Sequence, residues 1–417
     1  MGALAEAREL IQGIVDTFAA DPSNASLLYN GKLNKVQNQE REVVWVGRGA
    51  DFGLAPLVST SQNSPVIGQG TYFEYKSAPV DSRFAKEFTQ DELRNLTSPD
   101  ARYRINAKYH IGQEVKDMMR RAMWTREYIA QSAVARGSVK FVDASNPASK
   151  MNVSLTFPIP AKTSSILWDH QTNSAYDAAI PTYFRSWLEE FELKTGKRPD
   201  GIRMSPKVFH YLRANPIVQA LFKDYLRINS VVDGVLTAQM LASSMELPPI
   251  EIYGERFGIE MRTVNSESTN GGTPVVIEVD TTFGLNVGDE VLFGYNKADN
   301  SWTEKATVTA VVDGVSFSAA FATASFAAGT LVVARPTFFP ENKILFHTNE
   351  KESVEYRLCP FGLDVNGTDI AIQNWYGIRA DAFMGGSEPN IRAFRRVWDS
   401  FGVTVYKPQN FLSVTVL

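Results

Sequence analysis

Residues 42–81 form a long polar segment broken by Gly47, Gly49, Gly53, Pro56, Pro65, Gly68 and Gly70, and it feeds the longest helical pattern of the chain. A compact domain rarely keeps so long an irregular segment beside its longest helix. Glu42–Val46 and Thr71–Lys76 read as strands flanking the irregular stretch. A two-stranded ribbon is marginal in water by itself, so the pair needs a surface to lie on. The pattern points to a self-assembling subunit that completes its fold on neighbouring copies.

The helix is expected from Ser98 to Arg136. Ser98 reads as its N-cap, Pro99 as its first residue and Asp100 as an acid against the helix dipole, with Gly137 as the stop. Its length would be about 58 Å. Ile111, Val115, Met118, Ala122, Ile129 and Ala133 make one apolar stripe, while Arg104, Lys108, Lys116, Arg120 and Arg121 load other faces. Between Ala101 and Lys140 there are nine Lys/Arg against three Asp/Glu, and between Val264 and Pro336 eight Asp/Glu against three Lys/Arg. The net charge of −4 is too small to argue for nucleic acid or membrane on global balance, so any such contact must be local. The basic run reads either as a solvated face or as a sequence-blind surface toward phosphate.

The remainder reads as mixed α and β. The first twenty residues form an amphipathic helix through Leu10, Ile11, Ile14, Val15 and Phe18. Thr89–Glu92 has the form of a capping box. Ser138–Val142 and Met151–Phe157 alternate as strands, followed by an α/β stretch: a helix over Tyr183–Lys194, a strand over Gly201–Ser205, helices over Pro206–Arg213 and Asp233–Met245, and a strand over Ile250–Tyr253. From 263 to 336 short β segments alternate with Gly-Asp and Asp-Gly turns, as in a small all-β module inserted into the α/β texture. Strand character resumes at Val403–Val405 and Phe411–Leu417.

Chemistry-bearing constellations are absent from the sequence. Cys359 stands alone, which rules out an internal disulfide and a cysteine metal site. His110, His170, His210 and His347 are far apart, with no paired spacing for a metal. No nucleophile elbow or Walker loop occurs, and the glycines at 47, 49 and 53 lead into prolines rather than a helix, so they fail as a dinucleotide loop. No apolar run reaches membrane length, and Glu6, Glu9 and Asp16 spoil a signal-peptide pattern, placing the chain in a reducing cytoplasm. Trp302, Phe283, Phe293, Tyr295 and Phe317 of the β module read first as core and second as a sugar-binding surface. The expectation is a protein that is not an enzyme and takes no cofactor and no metal.

Four stretches carry a resemblance to a known family. Phe52-Gly53-Leu54-Ala55-Pro56-Leu57-Val58-Ser59, with Gly70-Thr71-Tyr72 and Thr89-Gln90-Asp91-Glu92-Leu93, resembles an extended-loop region. Glu127–Ala133, ending at Arg136-Gly137-Ser138-Val139, resembles the end of a long spine helix; Gly201–Pro206 resembles a strand-to-helix step; Phe339–Leu345 resembles the lead into a late strand. In this order they resemble the lambda-like capsid protein E family, the major capsid proteins of tailed double-stranded DNA phages.

The resemblance implies an α+β fold of the Hong Kong 97 type. Its parts would be an N-terminal arm (1–41), an extended loop (42–88), a peripheral domain with the spine helix (89–160), an axial domain (161–262), the inserted all-β domain (263–336) and a return to axial and peripheral domains (337–417). It implies hexamers and pentamers closing an icosahedral head around packaged DNA, in a virion assembled in the host bacterial cytoplasm. Trp45, Arg48, Phe52, Leu57, Tyr72 and Tyr75 would be the inter-subunit loop residues, and the five named cations would face DNA. Partners implied are further copies of the chain, scaffold and portal proteins, a decoration protein and double-stranded DNA, with no membrane. The alternatives are an encapsulin-like compartment shell, a carbohydrate-binding adhesin acting through the β module, and, last, a hydrolase.

Overall fold

The computed structural model describes residues 2–20, 28–39, 42–48, 72–77, 79–142, 152–165, 168, 174–226, 237–262, 268–269, 275–279, 282, 284–296, 298–313, 316–321, 325–365, 369–373, 376–385 and 392–417. The chain opens with α1 (Gly2–Ala20), α2 (Leu28–Lys32), β1 (Asn34–Gln37), β2 (Val43–Arg48), β3 (Tyr72–Ser77) and β4 (Val80–Glu87). Next come α3 (Gln90–Leu96), α4 (Ala101–Ala135), β5 (Ser138–Val142), β6 (Asn152–Thr156) and β7 (Ala161–Thr163). An α/β stretch holds α5 (Ser174–Thr195), β8 (Gly201–Met204), α6 (Pro206–Ala214), α7 (Pro216–Leu226), α8 (Ala238–Ser244) and β9 (Ile250–Ile252).

A strand-rich stretch follows: β10 (Ile259–Arg262), β11 (Ser268–Thr269), β12 (Val275–Glu278), β13 (Glu290–Phe293), β14 (Glu304–Asp313), β15 (Ser316–Ala319), β16 (Ser325–Phe326) and β17 (Leu331–Ala334). The chain closes with β18 (Lys343–His347), α9 (Glu350–Ser353), β19 (Val354–Leu358), β20 (Phe361–Val365), β21 (Asp369–Gln373), β22 (Arg379–Gly385), β23 (Arg392–Val405) and β24 (Phe411–Thr415). The fold is mixed α+β, in two compact units whose division falls inside α4, after Ala130.

The first unit takes residues 1–49, 69–130 and 350–407. Its sheet is built on the long β23, which pairs antiparallel with β4, β19 and β22, and β1 adds in parallel to β19. β1 therefore belongs to this sheet and α1 to this core. Ala7, Ile11, Ile14, Val15 and Phe18 are buried, Arg8 Nε donates to Ala382 O at 2.7 Å, and a Cβ added at Gly112 would stand 3.5 Å from Ile14 Cδ1. α1 of the expected N-terminal arm thus buries its apolar stripe in its own chain rather than leaving it in water.

The second unit holds a five-stranded sheet in the order β7-β24-β18-β8-β9, with α5 to α8 packed on it through Trp168, Phe184, Trp187, Phe191, Val208, Leu212, Phe222 and Leu241. Ser205 caps α6 by accepting from Val208 N at 3.1 Å, with Pro206 at the first helical position. β24, near the chain's end, sits inside this sheet. The β module is a six-stranded sheet in the order β10-β17-β13-β14-β15-β12 around Ile277, Val291, Phe293, Phe317, Phe321, Phe326 and Val332. The β10–β17 pairing carries the module's sheet back to Ile259, and Phe257 N to Pro336 O and Phe338 N to Glu255 O extend its stem.

α4 begins two residues later than its expected first position. Asp100 Oδ1 accepts from Arg102 N at 2.8 Å and Ser98 Oγ accepts from Asp100 N at 3.3 Å, so Asp100 caps the first turn and Ser98 orders the approach. Gly137, at φ +71°, ends the helix, its N–H donating to Ser132 O at 3.0 Å.

Exposed faces of the hairpin and the long helix

β2 and β3 form an antiparallel ribbon, Val43 opposite Ser77 and Arg48 opposite Tyr72. Alternation sends Val43 and Trp45 to one side and Val44 and Val46 to the other. Val43 and Trp45 are buried on β23. A Cβ at Gly402 would come 2.7 Å from Val43 Cγ2, so only glycine admits the ribbon at that height. Trp45 Nε1 donates to Val405 O at 3.1 Å, and its ring stacks on Tyr75 at 5.5 Å. Trp45 thus roots the ribbon in its own chain, with 4% of it left exposed. Tyr75 is half-buried beside it. Arg48 and Tyr72 face each other at the ribbon's far end, while Phe52 and Leu57 lie outside the described residues. The opposite face is open and mixed: Val44 is 39% and Val46 51% exposed, beside exposed Lys76 and Glu74 directly across on β3. A strand apolar on both faces is built for two partners, a signal already present in the run Val43-Val44-Trp45-Val46.

The stripe expected on α4 is buried from Ile111 onward, joined by Ala107. Before it, Ala101–Asn106 and Lys108–His110 are exposed, with Tyr103 at 56%, Ile105 at 65% and Tyr109 at 62%. These three lie off the apolar stripe, so its helical spacing gives no sign of them.

The cations do not form one band. At about 100° per residue, Arg104 and Lys108 fall on the sector of the buried stripe, N-terminal to most of its packing, whereas Lys116 and Arg120 lie about 120–160° round the helix. Arg104, Lys108, Arg120 and Arg121 are exposed and Lys116 is half-buried. Arg120 pairs with Asp117 at 3.1 Å. Two cations of the same helix region serve the interior instead. Arg126 Nε and Nη2 grip Asp399 Oδ2 and Oδ1 at 2.6 and 2.5 Å, both residues buried. Burial pulls the Arg126 guanidinium down, but the field and hydrogen bonds of Asp399 outweigh it and hold it above its usual range. Arg136 donates to Ser132 Oγ and Phe338 O.

Around the buried pair, Glu127 Oε2 accepts from Tyr29 N at 2.9 Å, and Tyr29 OH donates to Glu350 Oε1 at 2.8 Å. Burial lowers Lys35, with Arg126 adding to it; burial and Glu127 push the Tyr356 phenol well above its ordinary range. This polar knot ties residues 28–37 to α4 and β23 inside the first unit.

No group of His, Cys, Asp and Glu able to hold a metal occurs among the described residues, and no helix there is long and apolar enough to cross a membrane. Cys359 is buried. In the β module Phe293 and Phe317 are core, Tyr295 is half-buried and Trp302 is exposed; Phe283 lies outside the described residues.

No protein-family model matches the chain, and no curated protein does. Solved structures do resemble it. A prophage capsid protein from E. coli CFT073 shares 8% identity over 98% of this chain and 99% of its own, with a TM-score of 0.47. The mature capsid of bacteriophage PhiM1 shares 10% over 93% and 86%, with a TM-score of 0.38. The SrpI encapsulin complex of Synechococcus elongatus PCC 7942 shares 8% over 94% and 84%, with a TM-score of 0.37.

Proposed function

We propose that this chain is the repeating subunit of an icosahedral phage head, assembling as hexamers and pentamers around packaged double-stranded DNA. The observation that carries the reading is the exposed apolar residues on ordered elements of the single chain: Val44 and Val46 on the ribbon, and Ile105 and Tyr109 on one face of the first turns of α4. Exposed apolar residues grouped on ordered elements mark surfaces that a partner covers. Repeated contacts between identical copies close into a shell when their rotation closes. The sequence resemblance to the capsid protein E family points the same way.

In this reading Arg104, Lys108, Arg120 and Arg121 contribute a non-specific, salt-sensitive attraction for enclosed DNA, with Lys116 a weaker contributor because it is half-buried. Scaffold, portal and decoration proteins are the partners such a head uses, and the β module is the candidate seat for decoration. The test is electron microscopy with size-exclusion chromatography of the full chain, alone and coexpressed with the neighbouring phage genes. Shells, tubes or five- and six-membered rings are expected. A chain that remains monomeric in both settings overturns the reading. Removing Gly47 to Gly70 should leave soluble subunits that never close. Enclosed enzyme in place of nucleic acid would move the assignment to an encapsulin-like compartment.

A further inference from the structure

Trp302 is 46% exposed, an uncommon place for the largest side chain, and it stands on the hairpin that joins β13 to β14. Phe293 opposite Glu304, and Asn296 bridged to Ser301, fix the register of that hairpin. Thr303 N donates to Phe293 O at 2.9 Å and Asn296 N to Ser301 O at 2.8 Å. The same register sets Tyr295 opposite Trp302, on one face. Tyr295 OH donates to Asn300 Oδ1 at 2.6 Å. Arg335 Nη2 donates to the same oxygen at 2.9 Å and to Tyr295 OH at 3.1 Å, its guanidinium 5.7 Å from the centre of the Tyr295 ring. An arginine only donates, so Oδ1 of Asn300 faces it and the Nδ2 end turns away. Asn300 sits at φ +56°, a left-handed conformation that asparagine tolerates. Asp299 Oδ1 holds the turn, accepting from Ser301 N at 3.1 Å and Ser301 Oγ at 2.6 Å. Asn300 and Arg335 are exposed and Tyr295 is half-buried.

We propose that this hairpin tip is a glycan-binding site, in which a pyranose lays its C–H face on Trp302 and hydrogen-bonds its hydroxyls to Asn300 and Arg335. A sugar ring has an apolar C–H face and a rim of hydroxyls that both donate and accept. An indole face beside an amide and a guanidinium matches both parts. The two bonds from Arg335 use one nitrogen, so the rest of its donor fork is left for a ligand. The tip is hydrogen-bonded into shape before any ligand arrives, so little ordering is lost on binding. A protein partner is the rival occupant. It would need an apolar cluster at the centre of about 800 Å² of surface on each side. The other exposed large apolar residues described in the module stand elsewhere. Val287 and Val312 lie toward the opposite ends of β13 and β14, and Val276 is on the edge strand β12. One aromatic ring among polar groups suits a sugar better. The site belongs to the β module and stands whether or not the chain builds a shell.

The experiment is saturation-transfer NMR on the full chain with maltohexaose, cellohexaose and N-acetylchitohexaose. At least one should bind saturably with a Kd of about 1 mM, its ring C–H protons taking the strongest transfer. Trp302→Ala should weaken that binding by about tenfold or more, and Trp302→Phe by less. Asn300→Gly, which keeps the left-handed backbone, and Arg335→Gln should each weaken it about fivefold. Val276→Ala, on the edge strand, should leave it unchanged. No saturable binding of any of the oligosaccharides up to about 10 mM overturns the proposal, and so does equal binding by Trp302→Ala. A natural chain that binds no sugar, with an association state that changes in Trp302→Ala, assigns the ring to a protein contact and overturns it too.

Discussion

The two ends of α4 share one helix and opposite fates. From Ile111 to Ala135 its apolar stripe is buried, and Arg126 spends its charge on Asp399 inside the first unit. From Ala101 to His110 only Ala107 is buried, and apolar and cationic residues alike face outward. One cation is therefore committed to the interior, while Arg102, Arg104 and Lys108 stay exposed. The difference teaches that a count of Lys and Arg along a helix says little until each is assigned a surroundings. Among the nine cations of the basic segment, Arg126 and Arg136 hydrogen-bond to groups far away in the chain, whereas Arg120 pairs with Asp117 one turn away.

The comparison breaks most sharply at the buried pair. Asp399→Ala leaves Arg126 charged, buried and alone, and should cost about 3–5 kcal/mol in denaturant unfolding, against a small change for Asp117→Ala beside exposed Arg120. Equal costs would erase the distinction. An apolar pair, Arg126→Met with Asp399→Leu, should recover most of the loss. The same contrast holds for one side-chain type: Ile129→Ala should cost about 2–5 kcal/mol and Ile105→Ala within about 0.5, while the latter weakens assembly. Gly402→Ala should cost about 1–3 kcal/mol by driving Val43 off β23, with loss of protection across the ribbon as the check. Smallest in folding terms is Arg120→Gln with Arg121→Gln, expected within about 0.5 kcal/mol of the natural stability. Its signature is DNA release from assembled particles at lower salt, and unchanged salt resistance would remove these two from the DNA-facing set.

Local signals carried much of the architecture. Thr89 and Glu92 form the reciprocal cap that their spacing predicts, Thr89 N donating to Glu92 Oε2 at 2.8 Å and Glu92 N to Thr89 Oγ1 at 3.2 Å. The strands at Ser138–Val142 and Gly201–Met204 stand where alternation and turns place them, and short strands fill the stretch from 263 to 336. α7 was not read. Its start signal is nevertheless in the sequence: Asn215 Oδ1 caps it, accepting from Ile217 N at 3.1 Å and Val218 N at 3.0 Å, with Pro216 as the first helical residue.

By itself the sequence determined what depends on neighbours a few residues apart: periodicity, caps, turn residues and the change of texture that marks the β module. The tertiary structure alone decided which surfaces are finished. Val43 and Val44 are identical side chains one position apart, yet one is sealed over Gly402 and the other open. Arg120 and Arg126 lie about 120° apart round α4, and the second meets the carboxylate of Asp399 on β23. The physical reason is that burial and charge pairing are set by residues hundreds of positions away, and local spacing carries no record of them.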